Sequence, residues 1–232
     1  MGCLMKANGL YSRMTVGAVL LAAGAGRRLG GRPKALLELG GVPLVMRQLV
    51  ALSGAGVDEL AVVLGHHAEA VEAAIGAFPI TVVRNPAPDE GQATSVRLGL
   101  QALSPKLDAI IVAPADMPLI DAQDVIALIG AYRRRGAATM VVPRVRTGRD
   151  DETVPGNPVI FDAALREAWL AGEADLACRK WRERHPEQVC WFDTDSRRYR
   201  VDIDTPADLD AFAAATGHTL AWPAGFEMET AG

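Results

Sequence analysis

Val16-Gly-Ala-Val-Leu-Leu-Ala-Ala23 carries no polar side chain and runs straight into Gly24-Ala-Gly-Arg-Arg-Leu-Gly-Gly-Arg-Pro-Lys34. An unbroken apolar run closed by glycine predicts a strand buried on both faces of a sheet. The turn that follows is built for an anion. Its glycines let backbone amides approach a ligand closely, and Arg27, Arg28, Arg32 and Lys34 add positive charge. Two familiar phosphate-binding patterns fail here. The turn holds no Gly-Lys, so it is not a P-loop. Gly24 and Gly26 fit the dinucleotide fingerprint, but Leu29 takes the third glycine's place. Gly30, Gly31 and Pro33 then stop the helix that the fingerprint must open.

Outward from this stretch, strands and helices alternate. Glu59–Leu64, Ile80–Val83 and Asp108–Ala113 read as further strands. Pro43–Ala55, Ala68–Ala77, Ser95–Leu103 and Asp121–Arg135 read as helices. Thr139–Pro143, Pro158–Phe161 and Val189–Phe192 are candidate later strands. Thr205-Pro206 opens a last helix, with Thr as cap and Pro in the first turn. The basic end Arg133–Arg135 reads as a solvated helix terminus, where the dipole favours cations. This alternation predicts an α/β fold: a single-domain three-layer sandwich with a mostly parallel, Rossmann-like sheet. In such sheets a ligand sits beyond the carboxyl ends of the strands, which points to the loops after Ala23, Arg84 and Ala113.

Composition narrows the class. Half of the 232 residues are apolar and 22% are charged, which excludes disorder and collagen-like repeats. The net charge of −4 argues against a nucleic-acid partner. No segment reaches the roughly 20 apolar residues of a membrane span, so no membrane partner is expected. Met1–Met14 lacks the apolar core of a signal peptide and reads as a disordered extension. Cys3, Cys178 and Cys190 are odd in number and lack metal-type spacing, which favours a reducing, cytoplasmic setting. Residues 218–232 are apolar but aperiodic and form a tail without a structural expectation.

Three more stretches carry chemistry. Asp116-Met-Pro118 follows the Asp108–Ala113 strand, so its carboxylate would face the glycine turn across the crevice. In Asp202-Ile-Asp204-Thr-Pro-Ala-Asp208, alternation puts Asp202 and Asp204 on one side if the segment is extended. Asp208 then falls in the first helical turn, where a structural dipole role suffices. Gly91-Gln-Ala-Thr-Ser-Val-Arg-Leu-Gly-Leu100 offers free helix amides with the Gln92 and Ser95 side chains, or a plain N-cap at Thr94 or Ser95.

Leu21-Ala-Ala-Gly-Ala-Gly-Arg-Arg-Leu-Gly30 with Pro33-Lys34 resembles the signature of nucleotidyltransferases related to molybdenum-cofactor guanylyl- and cytidylyltransferases, with Leu29 in place of the usual Met. Gly91–Leu100 and Asp116-Met-Pro118 resemble that family too, and the likeness spans roughly residues 16–216. It implies a nucleotidyltransferase domain over 15–217 that moves NMP, most often CMP from CTP, onto a phosphorylated acceptor such as molybdopterin, releasing pyrophosphate. A molybdoenzyme would be a partner. The nucleotide would be wrapped by Leu21, Ala22, Ala23, Gly24, Gly26, Arg28, Lys34, Gly91, Gln92 and Ser95. Lys34, Arg28 and Asp116 would be catalytic. Asp116 and Asp204 would hold Mg²⁺, with Asp202 a weaker third ligand. Two carboxylates beside a triphosphate suit that ion. Gly156-Asn-Pro-Val-Ile-Phe161 resembles the family's Gly-His-Pro-Val-Leu-Phe but has Asn157 at the histidine. Gly172-Glu-Ala-Asp175 matches an acceptor-side stretch only in part. Asn157 is therefore an acceptor-side candidate with the acceptor open. Two other readings stand beside this one: an NAD(P)H-dependent oxidoreductase acting on a conjugated ring, and a non-catalytic molybdenum-cofactor chaperone.

Overall fold

The computed structural model describes residues 13–76, 78–148, 152–171 and 178–226. Strand β1 (Val16–Ala22) is followed by the glycine turn, which forms two short 3-10 turns (Arg27–Leu29 and Lys34–Leu36) and no α-helix. Next come β2 (Glu38–Leu39), β3 (Val42–Pro43), α1 (Leu44–Gly54), β4 (Glu59–Leu64), α2 (Ala68–Ile75) and β5 (Thr81–Arg84). Then α3 (Gln92–Ala102), β6 (Ala109–Pro114), α4 (Ala122–Arg133), β7 (Met140–Arg146), β8 (Thr153–Pro155) and β9 (Val159–Asp162) follow. The chain continues through α5 (Leu165–Leu170), α6 (Cys178–Arg184), β10 (Val189–Thr194), α7 (Pro206–Thr216) and β11 (Leu220–Ala221).

The main sheet has the order β10-β7-β9-β6-β1-β4-β5, with β8 added to β7. β1 lies inside it, parallel to both β4 and β6. β9 runs against β6 and β7, and β8 against β7; the other pairings are parallel. Strand alternation builds the three layers. Ala18 and Leu20, with Val62, Ile111 and Val141, pack one face against α1, α2 and α4. Val19, Ala61, Val63, Ile110 and Val142 pack the other against α3, Trp169 of α5 and Trp181 of α6. Gly99 of α3 makes the close approach possible: a Cβ there would lie 2.3 Å from the Val19 side chain.

Several elements differ from expectation for local reasons. α3 starts at Gln92 rather than Ser95, because Gly91 (φ +113°) turns the chain directly into the helix. β7 runs on past Pro143 to Arg146. Proline is tolerated there: on the side of β9 and β8 the ladder pairs Met140 and Val141 with β9 and resumes with β8 only at Arg144, so the missing N–H of Pro143, on the side where its carbonyl accepts from Gly156, breaks no ladder bond. Arg135 is not a solvated helix end. It folds back over the Tyr132 ring and pairs with Asp162 at 2.5 Å. Cys178 and Cys190 are free thiols. Among the described residues no helix is long and apolar enough to cross a membrane.

Residues 218–226 are placed. β11 pairs antiparallel with β2, which pairs with β3, making a small second sheet. Under it sits a small core of Leu29, Leu37, Leu44, Ile203 and Phe212. The expected extension falls outside the described residues for 1–12, as does the Gly172–Asp175 stretch. Arg13, just inside, pairs with Asp58 at 2.5 Å.

Candidate functional site

The carboxyl ends of β1 and β6, Pro88 in the loop after β5 and the start of α3 surround a cleft of about 230 Å³. Of the residues singled out in the sequence, Leu21, Ala22, Ala23, Gly24, Lys34, Gln92, Ser95 and Asp116 line it, together with Pro33, Ala35, Pro88, Pro114 and Ala115. Gly26, Gly91, Arg28 and Asp204 do not line it directly. Gly26 and Gly91 shape the backbone beneath. Gly26 sits at φ +61°, and a Cβ there would lie 1.8 Å from the Arg32 carbonyl oxygen. Its own carbonyl accepts from the amides of Leu29 and Gly31. Those bonds close the turn on itself and take up the amides of Leu29 and Gly31.

The four basic side chains of the turn go to different places. The Lys34 ammonium lies between two carboxylates, donating to Asp116 at 2.7 Å and to Asp204 at 2.5 Å. The two accepting oxygens are therefore no further apart than those two distances combined. Arg28 donates to the other oxygen of Asp204 at 2.7 Å. Arg27 crosses to Asp89, which also meets His66 at 3.1 Å. Arg32 turns away from the cleft, its Nε donating to the Leu29 carbonyl.

Backbone and buried side chains hold this convergence. The Ile203 amide donates to the Asp116 carbonyl, joining the two acidic loops. The Ala115 amide donates to Leu21 of β1. From α1, the buried Gln48 amide donates to the Met117 carbonyl at 2.6 Å. Asp204 leads into α7, where Thr205 and Asp208 form a capping box. The Asp208 carboxylate also accepts from the Asp204 amide at 3.0 Å.

The electrostatics follow from the packing. Burial alone would lower the Lys34 pKa, but the charges and hydrogen bonds of Asp116 and Asp204 outweigh it, and the net shift is upward. Burial likewise works to raise Asp204, yet Lys34 and Arg28 hold its carboxyl below the usual range. Asp202 behaves oppositely. Desolvation and then the charges of Asp116 and Asp204 outweigh the nearby Arg200 and push its pKa up, although the residue is exposed.

Sequence reading missed Asn85. This buried residue donates to both Thr94 and Ser95 at 2.9 Å, and its side-chain oxygen accepts from the Ala87 amide. Ser95 thus lines the cleft with its hydroxyl tied to Asn85, and neither Thr94 nor Ser95 caps the helix. The Asn85-Pro86 step after a strand is a turn signal that marks such a position.

A second cleft of about 460 Å³ adjoins the first, sharing Leu21, Gln92 and Pro114. Asn157 lies here, with Val96, Val112 and Val159 as apolar walls and Arg179, Arg182 and Arg200 as cations. Arg179 pairs with Glu183. Burial lowers the Arg182 pKa. Burial pushes the Cys178 thiol up to about 12, so it stays protonated at neutral pH. The Asn157 amide donates to the Tyr199 carbonyl, and glycine at 156 is required because a Cβ would come within 2.6 Å of that oxygen.

Comparison with known proteins settles the family. A family model described as "MobA-like NTP transferase domain" matches residues 18–189. The chain belongs to the MobA-like NTP transferase family. This MobA-like chain is 32% identical over 191 residues to nicotine blue oxidoreductase of Paenarthrobacter nicotinovorans, covering 82% of this chain and 92% of that one. It is 35% identical over 153 residues to 2-C-methyl-D-erythritol 4-phosphate cytidylyltransferase of Streptomyces coelicolor, covering 61% of this chain and 56% of the relative. Among solved structures, a nucleotidyl transferase from Methanothermobacter superposes with a TM-score of 0.69 at 25% identity, covering 87% of this chain and 97% of that one. The MobA-like chain is accordingly a nucleotidyltransferase by family and by fold.

Proposed function

We propose that the chain transfers CMP from CTP to a phosphorylated small molecule. An acceptor phosphate oxygen attacks the α-phosphorus, a new phosphorus–oxygen bond forms, the α–β anhydride bond breaks, and pyrophosphate leaves. The observation that carries this reading is one ammonium, Lys34, lining the cleft and shared between Asp116 and Asp204. The cytidylyltransferase relative supports CTP as the donor.

The donor set suits Mg²⁺. Carboxylate oxygens are hard ligands, and Mg²⁺ takes one or two of them alongside phosphate oxygens and water. Among the described residues no group of three or more His, Cys, Asp or Glu side chains is placed to hold a metal ion by itself. Asp116 and Asp204 would hold the ion, with Asp202 at the rim. When bound, it would offset phosphate charge in the transition state. Lys34 and Arg28 would turn from their carboxylates towards the β- and γ-phosphates and stabilise the leaving pyrophosphate. Gln92, and the backbone of Ala22–Gly24, would orient base and ribose. The second cleft would seat the acceptor, molybdopterin being one candidate, with Asn157 at its edge and Arg182 and Arg200 facing anionic groups. Positioning and electrostatics then supply the rate, as little covalent work falls to the protein.

A specific observation favours a second reading. The relative matched over 92% of its length is named an oxidoreductase, so an NAD(P)H-dependent reaction on a conjugated ring is the competitor. A thermal-shift panel of CTP, GTP, ATP, UTP and NADPH, each with and without Mg²⁺, separates them. The transferase reading expects the largest shift with CTP and Mg²⁺ together. A shift from NADPH alone, indifferent to Mg²⁺, would overturn it. Asp116→Ala is expected to abolish CTP-dependent pyrophosphate release, and release at the parental rate would remove Asp116 from the machinery.

A further inference from the structure

We propose that Arg32 and Trp222 are positioning residues, through which the segment Leu220–Phe226 sets the basic turn against Asp204. The inference rests on the nucleotide-transfer reading but draws on a segment, 220–226, that lies beyond the family model, which spans 18–189.

Arg32 is the basic side chain of the turn that pairs with neither the cleft carboxylates nor Asp89. Its guanidinium lies over the Trp222 ring at 4.4 Å. Its Nε donates to the Leu29 carbonyl at 2.8 Å, and Nη1 reaches the Phe226 carbonyl at 3.5 Å. One planar cation thus ties the crest of the turn to the segment after α7. Two residues before Trp222, Leu220 pairs with Leu39, so the same segment also grips the strand that follows Lys34.

Beneath these contacts, Leu220 and Trp222 pack against the small core of Leu29, Leu37, Leu44, Ile203 and Phe212. Leu29 directly follows Arg28, and Ile203 directly precedes Asp204. One apolar knot therefore fixes both ends of the Arg28–Asp204 ion pair, which spans 2.7 Å. A stacked guanidinium held at Nε by a carbonyl has few alternative rotamers, and such a clasp would order the turn that carries Arg28 and Lys34 before ligand arrives. Ordering in advance lowers the entropy lost on binding and appears as affinity. Loosening the clasp is thus expected to weaken nucleotide binding more than it slows the step that follows.

The test uses the full chain with CTP and Mg²⁺. Trp222→Ala is expected to raise the CTP Kd, read by isothermal titration, and its KM by roughly tenfold, with kcat changed much less. Trp222→Phe, which keeps an aromatic face, should recover most of the loss. Arg32→Lys keeps the charge without the planar stack and should move in the same direction as Trp222→Ala. It serves where Trp222→Ala folds poorly. By linkage, saturating CTP should slow hydrogen exchange at the amides of residues 38–39 and 220–222. A merely structural strand would lose melting temperature while keeping KM and showing no exchange response. That pattern, in a chain whose wild type binds CTP, overturns this inference alone. Failure of the wild type to bind any nucleoside triphosphate overturns the transfer reading and this inference with it.

Discussion

At the scale of single residues, Lys34 is the pivot. Its ammonium stands between two carboxylates and keeps them within reach of each other before any ligand binds. Lys34→Met should therefore do two things. Turnover should fall about 10²–10³-fold, the usual consequence of removing one donor to developing charge. Magnesium affinity of the nucleotide-free chain should rise, since two carboxylates lose their cation; calorimetry reads this, and an unchanged affinity would contradict the arrangement. The pH dependence has a definite sign. Asp204 is held below its unfolded value of about 3.9, so it binds fewer protons when folded. It adds stability above that value, and the contribution disappears as pH falls through the folded pKa. Lys34, raised, adds stability that is full below its unfolded value and is lost as pH climbs through the folded one. Asp202 is also raised, so its carboxylate opposes folding at neutral pH. Asp202→Asn should raise the urea midpoint slightly at pH 7, with the gain vanishing towards pH 3. A gain that persists in acid would mean that charge is not its source.

At the scale of elements, the caps do more than end helices. Thr205 and Asp208 close the first turn of α7, and Asp208 also accepts from the backbone of Asp204. Thr205→Ala should cost about 1 kcal/mol of stability, as cap removals do. Asp208→Ala should cost a similar amount and in addition lower activity, because Asp204 loses the bond that aims it. Denaturation and pyrophosphate release measured together separate the two effects. Thr205-Pro206 and the first turn were legible in the letters, since capping chemistry is local. The bond from Asp208 to the Asp204 amide was not, because it depends on how an irregular loop meets a helix. Asn85 escaped for the same reason: its Asn-Pro step announces a turn but not that its amide reaches Ser95. The run of β7 past Pro143 was not legible either, as it depends on the break between the β9 and β8 pairings on that side of the strand.

At the scale of the whole molecule, strand order does what sequence spacing could not. Lys34 stands 82 and 170 residues from its two carboxylates. The apolar runs made a parallel sheet legible, and the rule for sheet ends located the loops. The reversed strand β9 and the pairing of β11 with β2 were not legible, because both are decided by distant partners rather than by local pattern. The same global packing predicts coupling between ion and nucleotide. Without a divalent ion, Asp116 and Asp204 face an incoming triphosphate as like charges, offset only by Lys34 and Arg28. With one, the carboxylates become part of the binding site. Mg²⁺ alone and CTP alone should each shift the melting temperature little. Together, at 100 times the dissociation constant, they should add about 2.7 kcal/mol. At about 2–4 °C per kcal/mol for a chain of this size, the shift should be roughly 5–10 °C. Asp204→Asn should match or exceed the shift seen with CTP alone, since it removes a charge that repels phosphate, and should lose the extra shift from Mg²⁺. A CTP shift of equal size in EDTA and in Mg²⁺ would show that the two acidic loops meet for structural reasons and take no part in holding the nucleotide.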